Sequence, residues 1–236
     1  MAMERPPSQF IVFSQNHDQI GNRAAGDRLS RTLSLEKLKL AAGMVVLSPY
    51  IPLLFMGEEY GETVPFQYFV SHSDEALIAS VREGRRKEFE SFLWHGEVPD
   101  PQDAETFRRS KLDWKKKETG DHRVLLDFYK RIIRLRKETP ALSRPDRKNI
   151  RAQGFESEMV LLMTRWNERS RLFCAFNFNE ADIKVTTSPS EGTWRKILDS
   201  SSGTWNGPGP LSPDAIKKGG VLSIRGSSFV VYEKEE

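Results

Sequence analysis

Disulfide chemistry is the first thing this sequence rules out. Its one cysteine, Cys174, has no partner within the 236 residues. The setting Leu172-Phe-Cys-Ala-Phe176 reads as a buried, inert thiol rather than a nucleophile. Histidine is scarce as well. His17, His72, His95 and His122 show no His-x-x-x-His spacing and no paired cysteines accompany them, so no metal and no other cofactor is expected. The glycines of Gly203-Thr-Trp-Asn-Gly-Pro-Gly209 precede no helix, which excludes a phosphate-cradling loop. No apolar run approaches the roughly 20 residues of a membrane-spanning helix, and no signal-peptide pattern opens the chain. A cytoplasmic protein without a membrane partner is the expectation. Charge of one sign is also missing: 36 Lys and Arg against 33 Asp and Glu leave +3, spread along the chain. That argues against a nucleic-acid partner.

What remains is a globular composition, 38% hydrophobic and 29% charged, long enough for one large or two modest domains. The most informative segment is Phe10-Ile-Val-Phe-Ser-Gln-Asn-His-Asp18. A short apolar run bounded by polar residues reads as a buried parallel strand. An amide, an imidazole and a carboxylate crowd its C-terminal end, which in a (β/α)8 barrel is where catalytic side chains are mounted. A loop capping its own backbone is the alternative.

The rest of the first half follows a strand–helix–strand order. Residues 21–31 read as a loop. Ser34 is a plausible N-cap for a helix with Leu35, Leu38, Ala42, Val45 and Val46 on one face, ended by Ser48-Pro-Tyr50. Ile51-Pro-Leu-Leu-Phe-Met56 is a second buried-strand candidate and ends at Gly57-Glu-Glu-Tyr60. This order is a βαβ unit with parallel strands. An inserted excursion spans 61–120, with a helix from Asp74 to Leu93 and mostly loop over 95–120. Asp121 opens a helix carrying Val124, Phe128, Ile132 and Leu135, which ends near Thr139-Pro140. Its arginines read as a solvated rim.

Beyond residue 148 the pattern changes to short strands: Met159–Thr164, Leu172–Phe178, Ile183–Thr187, Trp194–Leu198, Val221–Ile224 and Phe229–Tyr232. These argue for an antiparallel sandwich. Two domains are expected, 1–147 and 148–236. Trp166 and Trp205 are candidate sugar-stacking residues, Trp205 the better placed; burial or loop packing is the plainer reading of both.

Phe13-x-x-Asn16-His17-Asp18, continuing as Gln19-Ile-Gly-Asn-Arg23, resembles the last signature motif of the α-amylase superfamily of glycoside hydrolases. Within it, the segments Pro65-Phe-Gln-Tyr-Phe69, Arg82-Glu-Gly-Arg-Arg-Lys-Glu-Phe89, Pro99-Asp-Pro-Gln-Asp103 and Phe107-Arg-Arg-Ser-Lys-Leu-Asp-Trp114 are similar to the malto-oligosyltrehalose trehalohydrolase family. The resemblance implies the C-terminal part of a (β/α)8 TIM barrel followed by a β-sandwich domain, the C-terminal portion of a larger enzyme. It implies cleavage of the α-1,4 bond next to the trehalose end of a malto-oligosaccharide. A branching enzyme of the same superfamily, or a non-catalytic glucan-binding module, are the rival readings.

The resemblance also assigns roles. Asp18 would hold neighbouring sugar hydroxyls and offset charge in an oxocarbenium-like transition state, His17 would donate to a hydroxyl, Asn16 would orient the turn, and Gln15 would face the cleft. Glu58 and Glu59, weaker candidates, border that cleft, where Glu58 would touch sugar; a salt-bridge or capping role is the equal alternative. Arg23, Phe66 and Phe69 would line the side accepting the trehalose end, with core of the inserted loop the alternative reading of the two phenylalanines. The family's nucleophile motif, Gly-x-Arg-x-Asp, has no match here, so the isolated chain is expected to be inactive. Its expected partners are an α-glucan substrate, the N-terminal part of the parent enzyme, and further copies meeting through open strand edges.

Overall fold

A computed structural model describes residues 5–90, 98–144, 148–186 and 189–235. The elements run β1 (Ile11–Val12), α1 (His17–Gly21), α2 (Leu29–Thr32), α3 (Leu35–Leu47), β2 (Ile51–Pro52), α4 (Glu75–Glu90), α5 (Ala104–Arg109), α6 (Gly120–Glu138) and α7 (Pro140–Ser143). Among the described residues eight strands make up the second half, joined by short links except for 200–214: β3 (Ile150–Phe155), β4 (Val160–Trp166), β5 (Arg171–Asn177), β6 (Ile183–Thr186), β7 (Thr193–Asp199), β8 (Ala215–Lys217), β9 (Val221–Ile224) and β10 (Ser228–Lys234).

The expected βαβ unit is present. β1 pairs with β2 in parallel, Ile11 opposite Ile51 and Val12 opposite Pro52, and α3 crosses between them. Ser34 caps α3, its hydroxyl accepting from Lys37 N–H at 3.4 Å. The strands themselves are a correction. Each is two residues long, and neither is buried: Ile11 is 61% exposed, Leu53 42% and Met56 45%. Parallel strands are buried only where both faces are covered. Here α3 and α6 cover one side, where Leu54 packs against the core.

Other differences follow from local chemistry. The stretch read as loop over 21–31 contains the start of α2. The 95–120 stretch holds α5, whose N-terminus Asp103 caps by accepting from Glu105 N–H at 2.8 Å. The α4 helix matches the expectation over Glu75–Glu90, and residues 91–93 lie outside the described residues, as does His95.

The second half is a six-stranded antiparallel sheet in the order β3-β4-β5-β10-β7-β8, with a two-stranded antiparallel ribbon β6-β9 on one face. Alternation along β4 and β5 sends side chains to two cores. Met163, Leu172, Cys174 and Phe176 meet α3 and α6, while Leu162, Phe173 and Ala175 meet the ribbon. Strands β3 and β8 were not anticipated. β3 carries Arg, Gln and Gly on a largely exposed edge, so it lacks the apolar density that marks a strand, and β8 is three residues long. No helix among the described residues is long and apolar enough to cross a membrane.

The two halves meet closely at Gly43 of α3, where a Cβ would stand 2.6 Å from Phe229 Cζ on β10. Replacing a helical glycine by alanine ordinarily stabilises by about 1 kcal/mol. Gly43→Ala is expected to destabilise instead, by about 1–3 kcal/mol, because the ring it meets is fully buried. Urea unfolding checks the sign. The open β1–β2 surface leads to a second expectation: the chain self-associates in light scattering, and Ile11→Lys with Leu53→Lys lowers the associated fraction.

Candidate active site

Residues 14–19 leave β1 and turn at once into α1. Asn16 is the N-cap, its Oδ1 accepting from Gln19 N–H at 2.9 Å. The turn projects His17 and Asp18 outward. Their side chains are each 70% exposed, with His17 Nε2 3.2 Å from Asp18 Oδ1. A carboxylate with an imidazole beside it on an open surface is free to accept from ligand hydroxyls, and charge-assisted bonds of this kind are the stronger ones.

Gln15 points the other way and is buried. Its Oε1 accepts from Leu29 N–H at 3.1 Å, tying the motif to α2, and its side chain also bonds Glu58. Glu58 sits in a single 3-10 turn, Glu58–Tyr60, held between Gly57 at φ 86° and Gly61 at φ 66°. Only glycine adopts that left-handed backbone without strain. The Glu58 carboxylate accepts from Phe55 N–H at 3.0 Å and from Tyr129 O–H at 3.2 Å. At 6% exposure it is not placed as a sugar contact. It is a buried brace between the end of β2, α6 and Gln15. Burial pushes its carboxyl from the usual 4.5 up to about 7, against the lowering effect of those hydrogen bonds.

Arg23 is exposed and shares a cavity of about 190 Å³ with Gln15, Gln19, Asp27 and Arg28. Phe66 and Phe69 are half-buried in an aromatic chain, Phe55–Phe66 at 5.3 Å, Phe66–Phe69 at 5.7 Å and Phe69–Phe107 at 5.2 Å between centroids. Phe66 also packs against the 21–26 turn, its N–H donating to Gly26 O at 2.9 Å. The structure therefore gathers Asn16, His17, Asp18 and Arg23 on one exposed turn, backs that turn with Gln15 and Glu58, and sets the two phenylalanines beside it.

Arg28 is the residue that sequence reasoning missed. It is almost fully buried. Its Nε donates to Val64 O at 2.7 Å and its Nη1 to Met56 O at 2.7 Å, and the guanidinium lies 4.9 Å over the Phe55 ring. It fastens the loop after β2 to α2. Its only sequence signal is a lone arginine in a loop, which ordinarily means a solvated side chain. Glu62 completes this support by accepting from the N–H groups of Thr63, Val64 and Asp113 and from Lys116 Nζ. Trp205, the better placed of the two stacking candidates, follows the plainer reading of loop packing, lying edge-on against Phe128 at 5.4 Å between the two halves. Among the described residues no three His, Cys, Asp or Glu side chains gather to hold a metal.

Glu58 gives a pH signature. Its carboxyl is raised in the folded state, so folding favours the protonated form, and this contribution is lost as pH rises from about 4.5 through about 7. Relative to Glu58→Gln, the native chain is expected to lose stability on the order of 3 kcal/mol across that interval and then level off. Parallel unfolding curves for the two proteins at pH 5 and pH 8 contradict this.

The family model described as Domain of unknown function (DUF3459) matches residues 157–217. A malto-oligosyltrehalose trehalohydrolase of Brevibacterium helvolum is 54% identical over 138 residues, 58% of this chain and 23% of that protein. One from Deinococcus radiodurans is 41% identical over 165 residues, 69% of this chain and 27% of that protein. Among solved structures, one provisionally assigned as an alpha amylase of Salmonella typhimurium superimposes with a TM-score of 0.78 at 33% identity, covering 98% of this chain and 36% of the other. The chain spans about a quarter of the length of these curated relatives. The parallel unit and the sandwich are thus the closing part of a (β/α)8 barrel and its following β domain. The chain is a relative of the malto-oligosyltrehalose trehalohydrolases within the α-amylase superfamily of glycoside hydrolases, corresponding to their C-terminal portion.

Proposed function

We propose that this chain supplies the transition-state-stabilising part of a glycoside hydrolase that cleaves the α-1,4 bond next to the trehalose end of malto-oligosyltrehalose. The observation that carries the reading is Asp18, presented with His17 on an exposed turn at the C-terminal end of a parallel strand. Cleavage passes through an oxocarbenium-like state, in which hydrogen bonds to the sugar hydroxyls tighten. A carboxylate accepting two such hydroxyls also places negative charge beside the developing positive centre. His17 donates to a hydroxyl of the same sugar. Asn16 fixes the turn, and Gln15 and Glu58 hold it from behind. Arg23, Phe66 and Phe69 form the side that receives the trehalose end, with the aromatic faces against apolar sugar faces.

The proton donor and the nucleophile of this reaction are assigned to the N-terminal part of a parent enzyme, and the substrate to the α-glucans that the relatives' names indicate. The two-domain division at 147/148 belongs to the same reading, as does a cytoplasmic setting. A branching enzyme would use Asp18 identically and differ only in the acceptor.

Two measurements test this. The 236-residue chain alone is expected to show no turnover on malto-oligosyltrehalose or soluble starch. Joined to the portion of a relative that it does not match, it is expected to release trehalose. In that chimera Asp18→Asn lowers kcat by roughly a hundredfold or more, on the scale of removing one charge-stabilising group. A variant within twofold of its parent, or new branches in place of free trehalose, overturns the assignment.

A further inference from the structure

A cavity of about 660 Å³ lies on the β-domain, on the face of the six-stranded sheet that carries the β6-β9 ribbon. Strand pairing decides what lines it. Arg151 and Gln153 alternate onto this face of β3, and Leu162, Thr164 and Trp166 onto the same face of β4. The register sets Arg151 opposite Thr164, Thr164 opposite Phe173, and Trp166 opposite Arg171. Cross-strand neighbours stand about 5 Å apart at Cβ. The two guanidiniums therefore rise from the strands on either side of β4, diagonal to one another across Thr164 and Trp166.

The floor is apolar and pre-formed. Leu162 and Phe173 are buried there against the second core, and Phe155 and Trp166 are half-buried at its margins. Pro189 and Ser190 make a wall. A concave apolar floor with a few converging polar groups is the usual form of a small-molecule site.

Charge distinguishes this cavity from a neutral-sugar groove. Among the described residues its lining contains Arg151, Arg171 and Lys218 and no carboxylate. Lys218 shares its charge with Glu191 at 3.2 Å. Arg151 and Arg171 have no acidic partner among the described residues. In the same half of the chain, Arg195 is paired with Glu235 and Arg225 with Asp182. Two unpaired guanidiniums over an aromatic floor fit a ligand with a compact anionic head and a flat, partly apolar body. The planar fork of arginine matches phosphate oxygens in pairs.

We propose that this cavity binds an organic phosphate monoester, a nucleoside or hexose phosphate, with its phosphate between Arg151 and Arg171 and its ring against Trp166. The site stands apart from the Asp18 turn and does not depend on the hydrolase reading.

The test is titration of the intact chain by calorimetry with AMP, glucose 6-phosphate, inorganic phosphate, glucose and maltoheptaose, with the Trp166 indole resonance followed by NMR. Saturable binding of AMP or glucose 6-phosphate that shifts this resonance is expected, with the organic phosphates tighter than inorganic phosphate. The two organic arms distinguish a nucleoside from a hexose body. The pair Arg151→Glu and Arg171→Glu, exposed on the rim, is expected to weaken binding by roughly tenfold or more. The pair Lys87→Glu and Lys130→Glu, with the same change in net charge on α4 and α6, is expected to leave it within about twofold. Equal thermal unfolding of the two double variants shows that folding is not the cause. No saturation by either organic phosphate, equal losses in both pairs, or binding of maltoheptaose alone overturns the proposal.

Discussion

The two halves of this protein are held together by cations placed where a helix offers unsatisfied carbonyls. The last four C=O groups of α3 have no partner within the helix and carry its negative dipole end. Arg136 of α6 donates to Val46 O, Ser48 O and Tyr50 O at 2.6–2.7 Å. Arg165 of β4, almost fully buried, donates to Leu47 O and Ser48 O at 3.1 and 3.0 Å. One guanidinium comes from the helical half and one from the sheet, and both close the same helix end. Nearer its other end, Lys39 is wholly buried and donates to Ser200 O and Trp205 O at 2.7 and 2.9 Å, with Glu36 at 2.9 Å. Buried charges persist only where such partners offset the loss of water, so these contacts set the position of α3 against the sheet.

The position of α3 in turn sets the candidate site. α3 is the crossover between β1 and β2, so it decides where the two strand ends stand. The turn at Asn16–Asp18 projects from one of them and the Glu58 brace from the other. Arg28 and Gln15 then tie these ends laterally, through backbone carbonyls and Leu29 N–H. The outward-facing residues bear the polar chemistry and the inward-facing ones bear the support. This division explains how Gln15 and His17, two residues apart, come to differ so widely in exposure.

Much of this was legible in the residues. The Ser34 cap and the spacing after it located α3, and the stripe Phe128, Ile132, Leu135 located α6, because amphipathic helices declare their buried face in period 3.6. Strands β4, β5, β7, β9 and β10 were visible because each buries apolar side chains against a core. Strand β3 was not, since Arg151 and Gln153 satisfy a sheet edge and a cavity rim rather than a core. At the site, the Asn16-His17-Asp18 cluster stood out as polarity at a strand end. Glu58 drew notice for the same reason, yet the structure buries it, because α6 packs beneath it and brings Tyr129 O–H to a carboxylate already bonded to Phe55 N–H.

The sequence by itself determined the class of each half, the parallel order of the first two strands and the turn that carries His17 and Asp18, all of which rest on local caps and hydrophobic period. Tertiary structure alone decided which carboxylate is a brace and which is free, that Arg28 is a fastener, and that Arg151 and Arg171 line one cavity. The Arg28 and Glu58 outcomes depend on partners 36 and 71 residues away, brought close by packing that no local pattern records.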